Sequence, residues 1–223
     1  MIRIEEQEKM LLAISKAMAQ KATAYAIGGT AMMFYGLKDA TKDIDIVFET
    51  EKEKAAFKEA ALKAGYEGMD PIIVYRQKKN KPDMVKAGEA RIDLFLNDVI
   101  LFSFSESMRQ RAKKAYQFGD NLLLKAADLH DIILLKCATD REKDMIDAVS
   151  IIKNTKIDWN IIIKEAENQM KLGKDIALLE LGDFFDRINS KESIVPKDVT
   201  DRIYSLVIKQ IREKKSHAAH KKA

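Results

Sequence analysis

Asp43 and Asp45 stand two apart in Asp43-Ile44-Asp45-Ile46-Val47-Phe48, and a third acid, Asp93, stands in Arg91-Ile92-Asp93-Leu94-Phe95-Leu96. Alternate residues of a strand share a face. On a strand, Asp43 and Asp45 therefore point one way and Ile44, Ile46 and Phe48 the other, towards a core. Asp93 likewise opposes Ile92, Leu94 and Leu96 and shares its face with Arg91 and Phe95. Acids side by side repel unless something neutralises them, and a divalent metal that also carries a phosphate does so economically. Upstream, Ala26-Ile27-Gly28-Gly29-Thr30 offers a place for that phosphate. Glycines turn tightly and approach a ligand with no Cβ in the way, and the short helix expected over residues 30–35, ending at Gly36, presents its N-terminus to an anion.

These residues need elements to hold them. Met10, Leu11, Ile14 and Met18 recur at helical spacing, which predicts an amphipathic helix over residues 5–20. A strand over 23–27 delivers the chain to the glycine pair. Thr50 and Glu53 form a capping-box pattern ahead of a helix through Ala64, closed by Gly65. Pro71-Ile72-Ile73-Val74-Tyr75 reads as a strand, residues 76–88 as a loop, and Leu122-Leu123-Leu124 as a last short strand. Helices follow. Asp128 caps one through Ala138, Thr139 and Glu142 form a second capping box for one to Lys153, and Asp158 opens a third. Leu178, Leu181, Phe185 and Ile188 mark a fourth. A fifth starts near Pro196 with Ile203, Leu206, Val207 and Ile211 on its buried stripe. The expected organisation is an α/β domain with a small mixed sheet over 1–124, an all-α helical domain over 125–213, and a basic flexible tail over 214–223. His217 and His220 in that tail make no structural metal site.

Composition narrows the class. The chain has 223 residues, 47% of them hydrophobic, enough for a proper core. Its 33% charged residues nearly balance at a formal +4, a mild push towards nucleic acid at most. A single cysteine, Cys137 in an apolar run, suggests a reducing compartment without a disulfide framework. The acidic start, Met1-Ile2-Arg3-Ile4-Glu5-Glu6, is unlike a signal peptide, and no run approaches transmembrane length. A cytoplasmic protein is expected.

Gly28-Gly29, a short helix, Asp43-x-Asp45 and the later Asp93 resemble the signature of the nucleotidyltransferase superfamily that includes DNA polymerase β. Thr41-Lys42-Asp43-Ile44-Asp45 together with Lys136 and Arg141-Glu142-Lys143-Asp144-x-x-Asp147 is similar to its stand-alone prokaryotic branch, met as abortive-infection or toxin–antitoxin nucleotidyltransferases. The resemblance spans residues 23–153. It implies a nucleotidyltransferase fold in which Gly28 and Gly29 hold a nucleoside triphosphate and Asp43 and Asp45 bind two magnesium ions, or manganese. It also implies Asp93 as the third ligand and base, and release of pyrophosphate. The acceptor would be a tRNA end, a protein hydroxyl or a small hydroxyl compound, and a toxin–antitoxin partner protein is implied too. Thr30 and Thr41 are either further nucleotide contacts or cap and turn residues. Lys136, in an otherwise apolar helix, either contacts the nucleotide or pairs with Asp140 or Asp144. One position departs from the pattern: many relatives have an arginine two residues before Thr41, where this chain has Asp39 flanked by Lys38 and Lys42 as nearby cations.

Two other readings compete. A catalytically silent module, an antitoxin or adaptor, would keep the fold without needing three acids. A haloacid-dehalogenase-like phosphatase would use Asp43 as a nucleophile in Asp43-Ile44-Asp45-Ile46-Val47, but that chemistry places its acids at the end of a strand, whereas here the apolar residues follow them.

Overall fold

A computed structural model describes residues 1–139 and 141–220, the side chains of 213–220 excepted. The chain divides into two compact units, Met1–Ile100 with Phe104–Ile132, and Leu101–Ser103 with Ile133–Ala223.

The first unit is mixed α/β. It opens with β1 (Ile2–Arg3), α1 (Ile4–Ala17), β2 (Ala22–Ala26), α2 (Gly28–Phe34), β3 (Ala40–Thr41) and β4 (Asp43–Phe48). After α3 (Glu51–Lys63) come β5 (Glu67–Met69), α4 (Ile72–Tyr75), β6 (Asp83–Ala87), β7 (Ala90–Leu96) and β8 (Asp98–Val99). The segment between 101 and 103 carries β9 (Phe102–Ser103) and is part of the second unit. The first unit resumes with α5 (Glu106–Arg111), β10 (Lys114–Phe118) and β11 (Leu122–Ala126), and α6 (Leu129–Lys136) runs across the division.

Seven strands lie in the order β10-β11-β2-β4-β7-β6-β5. Two of their pairings matter most. β4 runs parallel to β7, with Asp43 opposite Arg91 and Asp45 opposite Asp93, while β2 flanks β4 antiparallel and reaches only as far as Ile46. Ile44, Ile46, Phe48, Ile92 and Leu94 are fully buried on the other face, as their alternation predicts. Phe57 of α3 packs on Phe48 with ring centroids 5.4 Å apart. The Thr50 hydroxyl accepts from the Glu53 N–H, as a capping box requires, but the Glu53 carboxylate also accepts from the Thr23 N–H and so ties α3 to β2, an interior strand of the sheet.

Several segments differ from the sequence expectation. Residues 72–75 form one helical turn instead of a strand: Asp70 Oδ1 accepts from the Ile72 N–H at 2.8 Å, and Pro71, at φ −64°, already sits in the helical region. The supposed loop over 76–88 contains β6, and β10, unexpected from the sequence, pairs with β11. Thr139 and Glu142 form no capping box, because the Thr139 hydroxyl donates to Asp144 and Arg141, not Thr139, stands at the N-cap of the helix, where it makes no side-chain capping bond.

The second unit holds the remaining helices, α7 (Glu142–Asn154), α8 (Trp159–Lys171), α9 (Asp175–Lys191) and α10 (Lys197–His220). Asp158 caps α8 by accepting from the Asn160 N–H. Leu178, Leu181, Phe185 and Ile188 of α9 are fully buried, and Gly182 lets α10 close in, since a Cβ there would meet Tyr204 Cε1 at 2.9 Å. On α10, Ile203 and Val207 are buried, but Ile211 is 49% exposed and Gln210 takes the inward position, bonded to Asp175 of α9. Buried Gln169 grips Ser103 through both its amide atoms, at 2.9 and 2.8 Å, which binds the 101–103 segment to this unit. Cys137 is buried, and desolvation pushes its thiol well above the ordinary value. The backbone of α10 is helical past residue 213, through His220. The side chains of His217 and His220, and residues 221–223, lie outside the described residues. Among the described residues no helix is long and apolar enough to cross a membrane.

Candidate active site

The parallel register of β4 and β7 puts four side chains in a two-by-two block on one face: Asp43 beside Arg91, and Asp45 beside Asp93. Asp43, Asp45 and Asp93 each offer an oxygen, and the three lie within 4.8 Å of one another. Asp93 is fully buried and Asp43 nearly so. Such a set of hard oxygen donors fits a divalent cation such as magnesium or manganese.

Arg91 completes the block. Its Nε donates to Asp93 Oδ1 at 2.8 Å, and its Nη2 donates to Asp93 Oδ2 at 3.1 Å and also to Asp43 Oδ2. Tyr75, at the end of α4, donates its hydroxyl to Asp93 Oδ2 at 2.7 Å and lies edge-on to Phe95. Burial raises the Asp93 carboxyl above the ordinary carboxylate value, with Arg91 and the Tyr75 hydroxyl pulling it back. Burial and the nearby Asp45 and Asp93 charges push the Tyr75 phenol far up, so it is a donor at every ordinary pH.

The glycine turn lies against this block. Gly28 has φ +56°, a left-handed conformation that suits a residue without a Cβ, and a Cβ there would come within 3.0 Å of Asp45 Oδ2. A Cβ on Gly29 would meet Thr41 Oγ1 at 2.7 Å. Thr41 is itself held by the short antiparallel pair of β3 with β1, opposite Ile2. Thr30 serves the strand: just past the end of β2 the Ile27 N–H still donates to the Asp45 carbonyl at 3.1 Å, while the Asp45 N–H is accepted by the Thr30 hydroxyl at 2.8 Å. The same hydroxyl lies 3.4 Å from the Asp43 carbonyl. Among the sequence candidates, then, Gly28, Gly29, Thr30, Thr41, Asp43, Asp45 and Asp93 form one neighbourhood.

Lys136 belongs to the second unit, where its ammonium donates to Asp144 Oδ1 at 2.8 Å and Asp147 Oδ2 at 2.5 Å. The pair with Asp144 is thus present, extended by Asp147; Asp140 lies outside the described residues. Arg91 and Tyr75 were not among the sequence candidates. Arg91 carried a readable signal, sharing a strand face with Asp93 two residues on, whereas Tyr75 was hidden by the strand reading of its segment. Asp43 opens β4, which is the wrong end of a strand for the phosphatase alternative.

No family model matches the chain, and no curated protein matches its sequence. Solved structures do. The JHP933 protein of Helicobacter pylori is 16% identical with a TM-score of 0.42, over 99% of this chain and 98% of that one. The ANT(2″)-Ia protein in complex with adenylyl-2″-tobramycin is 12% identical with a TM-score of 0.45, over 81% of this chain and 98% of that one. The solution structure of the same antibiotic-resistance factor is 13% identical with a TM-score of 0.44, over 85% and 96%.

Proposed function

We propose that the protein is a nucleotidyltransferase that moves a nucleoside monophosphate from a nucleoside triphosphate to an acceptor hydroxyl. The observation that carries this reading is the convergence of three carboxylates from two registered parallel strands beside a glycine turn too tight for a Cβ. Two divalent cations held by Asp43, Asp45 and Asp93 would neutralise the charge that builds on the attacking and leaving oxygens.

The chain's own residues do the rest. Gly28 and Gly29 leave the backbone open to the triphosphate, and Thr41 flanks them. Thr30 fixes the backbone of Asp45, and hence the direction of its carboxylate. Asp93 takes the proton of the acceptor hydroxyl on a carboxylate oxygen, and burial, by raising its proton affinity, moves it towards the useful range for a base. The acceptor oxygen then bonds to the α-phosphorus, the bond from that phosphorus to the β-phosphate oxygen breaks, and pyrophosphate leaves. The ammonium of Lys136, engaged by Asp144 and Asp147, has no step here.

One observation favours the silent module: Arg91 already neutralises part of the acid cluster. The two readings separate in one experiment, in which each α-labelled nucleoside triphosphate is offered with magnesium to RNA, protein and small hydroxyl acceptors. Label transfer that disappears in Asp43→Ala and Asp93→Asn supports the transferase. If no acceptor is labelled and neither variant alters cation binding, the reading is wrong.

A further inference from the structure

Arg91 is the one basic side chain in a block that otherwise holds only acids, and its placement is a matter of register. Opposite Asp43 on the parallel strand, and one alternation before Asp93, its guanidinium reaches both carboxylates at once. Its side chain is 20% exposed, those of Asp43 and Asp93 11% and 0%. Tyr75 covers the remaining side of Asp93 Oδ2. Of the carboxylate oxygens open to a cation in this cluster, these two side chains hold Oδ2 of Asp43 and both oxygens of Asp93.

We propose that Arg91 is a switching counter-ion. Without a cation it neutralises Asp43 and Asp93, assisted by Tyr75; cation entry displaces it, and its released guanidinium then binds the triphosphate. The chemistry follows from charge. Three carboxylates within 4.8 Å of one another need a positive partner to persist in a buried site, and Arg91 supplies one when no metal does. A guanidinium and a divalent cation cannot share the same lone pairs, so the two compete. A planar fork that has matched two carboxylates also matches two phosphate oxygens. The second half of this inference rests on the nucleotidyl-transfer reading; the first half does not.

The test uses the full-length chain and two titrations, each on wild type, Arg91→Gln and Tyr75→Phe. In the first, manganese(II) alone is added and free ion is counted by electron paramagnetic resonance. Removal of the competing charge in Arg91→Gln should tighten manganese binding about tenfold, and loss of the phenol donor in Tyr75→Phe about twofold to threefold. In the second, a non-hydrolysable nucleoside triphosphate is added at saturating manganese, and here Arg91→Gln should bind about tenfold more weakly. A residue that merely braces the carboxylates would weaken both titrations together. Manganese affinity unchanged or lowered in Arg91→Gln overturns the inference, as does nucleotide affinity unchanged in that variant. Should Arg91→Gln fail to fold, Tyr75→Phe decides, since it keeps the ring against Phe95: unchanged or weaker manganese binding overturns the proposal. An Asp43→Ala control separates the failures. If wild type and Asp43→Ala bind manganese alike, the cation site itself is absent and the proposed function falls with it; if Asp43→Ala abolishes binding while Arg91→Gln leaves it unchanged, only the switch is lost.

Discussion

Replacing Lys136 with methionine should destabilise the helical unit strongly, before any question of catalysis arises. Lys136 is 7% exposed and holds Asp144, 1% exposed, and Asp147, 10% exposed, by side chain. Methionine matches the aliphatic stem, so little cavity forms, and the loss is electrostatic: two nearly buried carboxylates are left without their shared cation. Removing one partner of such a pair costs about 3–5 kcal/mol. Arg141 still reaches Asp144 at 2.6 Å, but its side chain is 49% exposed and solvent-screened, so the lower end, about 3 kcal/mol, is expected. Trp159, the single tryptophan, packs edge-on against Phe185 within the same unit, so its fluorescence reports urea unfolding there. With a slope of about 1–3 kcal/mol per molar urea, the midpoint should fall by about 1–3 M. The acid limb gives a second reading. Burial alone would raise the Asp144 carboxyl, but Lys136, Arg141 and the Thr139 hydroxyl outweigh it and hold it below the ordinary value. A carboxylate lowered in the folded state contributes stability above its unfolded pKa of about 4 and loses it as pH falls through the folded value. Wild type should therefore lose stability below about pH 4, and Lys136→Met should show a much shallower acid slope. A midpoint shift under about 0.3 M with an unchanged slope would refute the reasoning, because it would mean the network contributes almost nothing.

Three other substitutions probe the first unit. Thr30→Val keeps the shape but leaves the Asp45 N–H unpaired, at a cost of about 1–3 kcal/mol in denaturant titration; a change below about 0.5 kcal/mol would show that the strand has another acceptor. Gly28→Ala forces a left-handed conformation on an L side chain, about 1–2 kcal/mol, and presses its Cβ on Asp45 Oδ2, so both thermal stability and manganese affinity should fall. Gln7 of α1 is fully buried with neither amide atom hydrogen-bonded, and Gln7→Met should raise stability by about 1 kcal/mol; a loss in calorimetry would show that the amide is satisfied in solution.

The acids were legible because strand alternation is a two-residue rule: Asp-x-Asp followed by isoleucines can only place acids on one face and a core on the other, and Asp93 repeats the pattern. What made them one site, the in-register pairing of β4 with β7, is a long-range fact that no local pattern encodes. Arg91 was visible as a neighbour of Asp93, but its bond to Asp43 comes from that register. The run at 72–75 misled because β-branched residues favour strands in general. Here a local bond from Asp70 and the fixed φ of Pro71 decide otherwise, and Ile72 and Ile73 are left 54% and 70% exposed. The stripe on α10 went astray at its last step for a similar reason: buried Gln210 has a polar partner in Asp175, so polarity alone did not mark the outer face.

The pairing of β4 with β7 also sets when the site can exist. Arg91 and Asp43 are separated by 48 residues of chain, so neither the counter-ion nor the third carboxylate is in place until the intervening helix and strands have folded and the loop has closed. A nascent or partly unfolded chain has two exposed aspartates and no cation site. On the proposed reading, cation binding would be linked to folding of the first unit as a whole: at a hundredfold excess over its dissociation constant the ion would add about 2.7 kcal/mol to that unit's stability. Metal supply would then govern how long the folded protein survives.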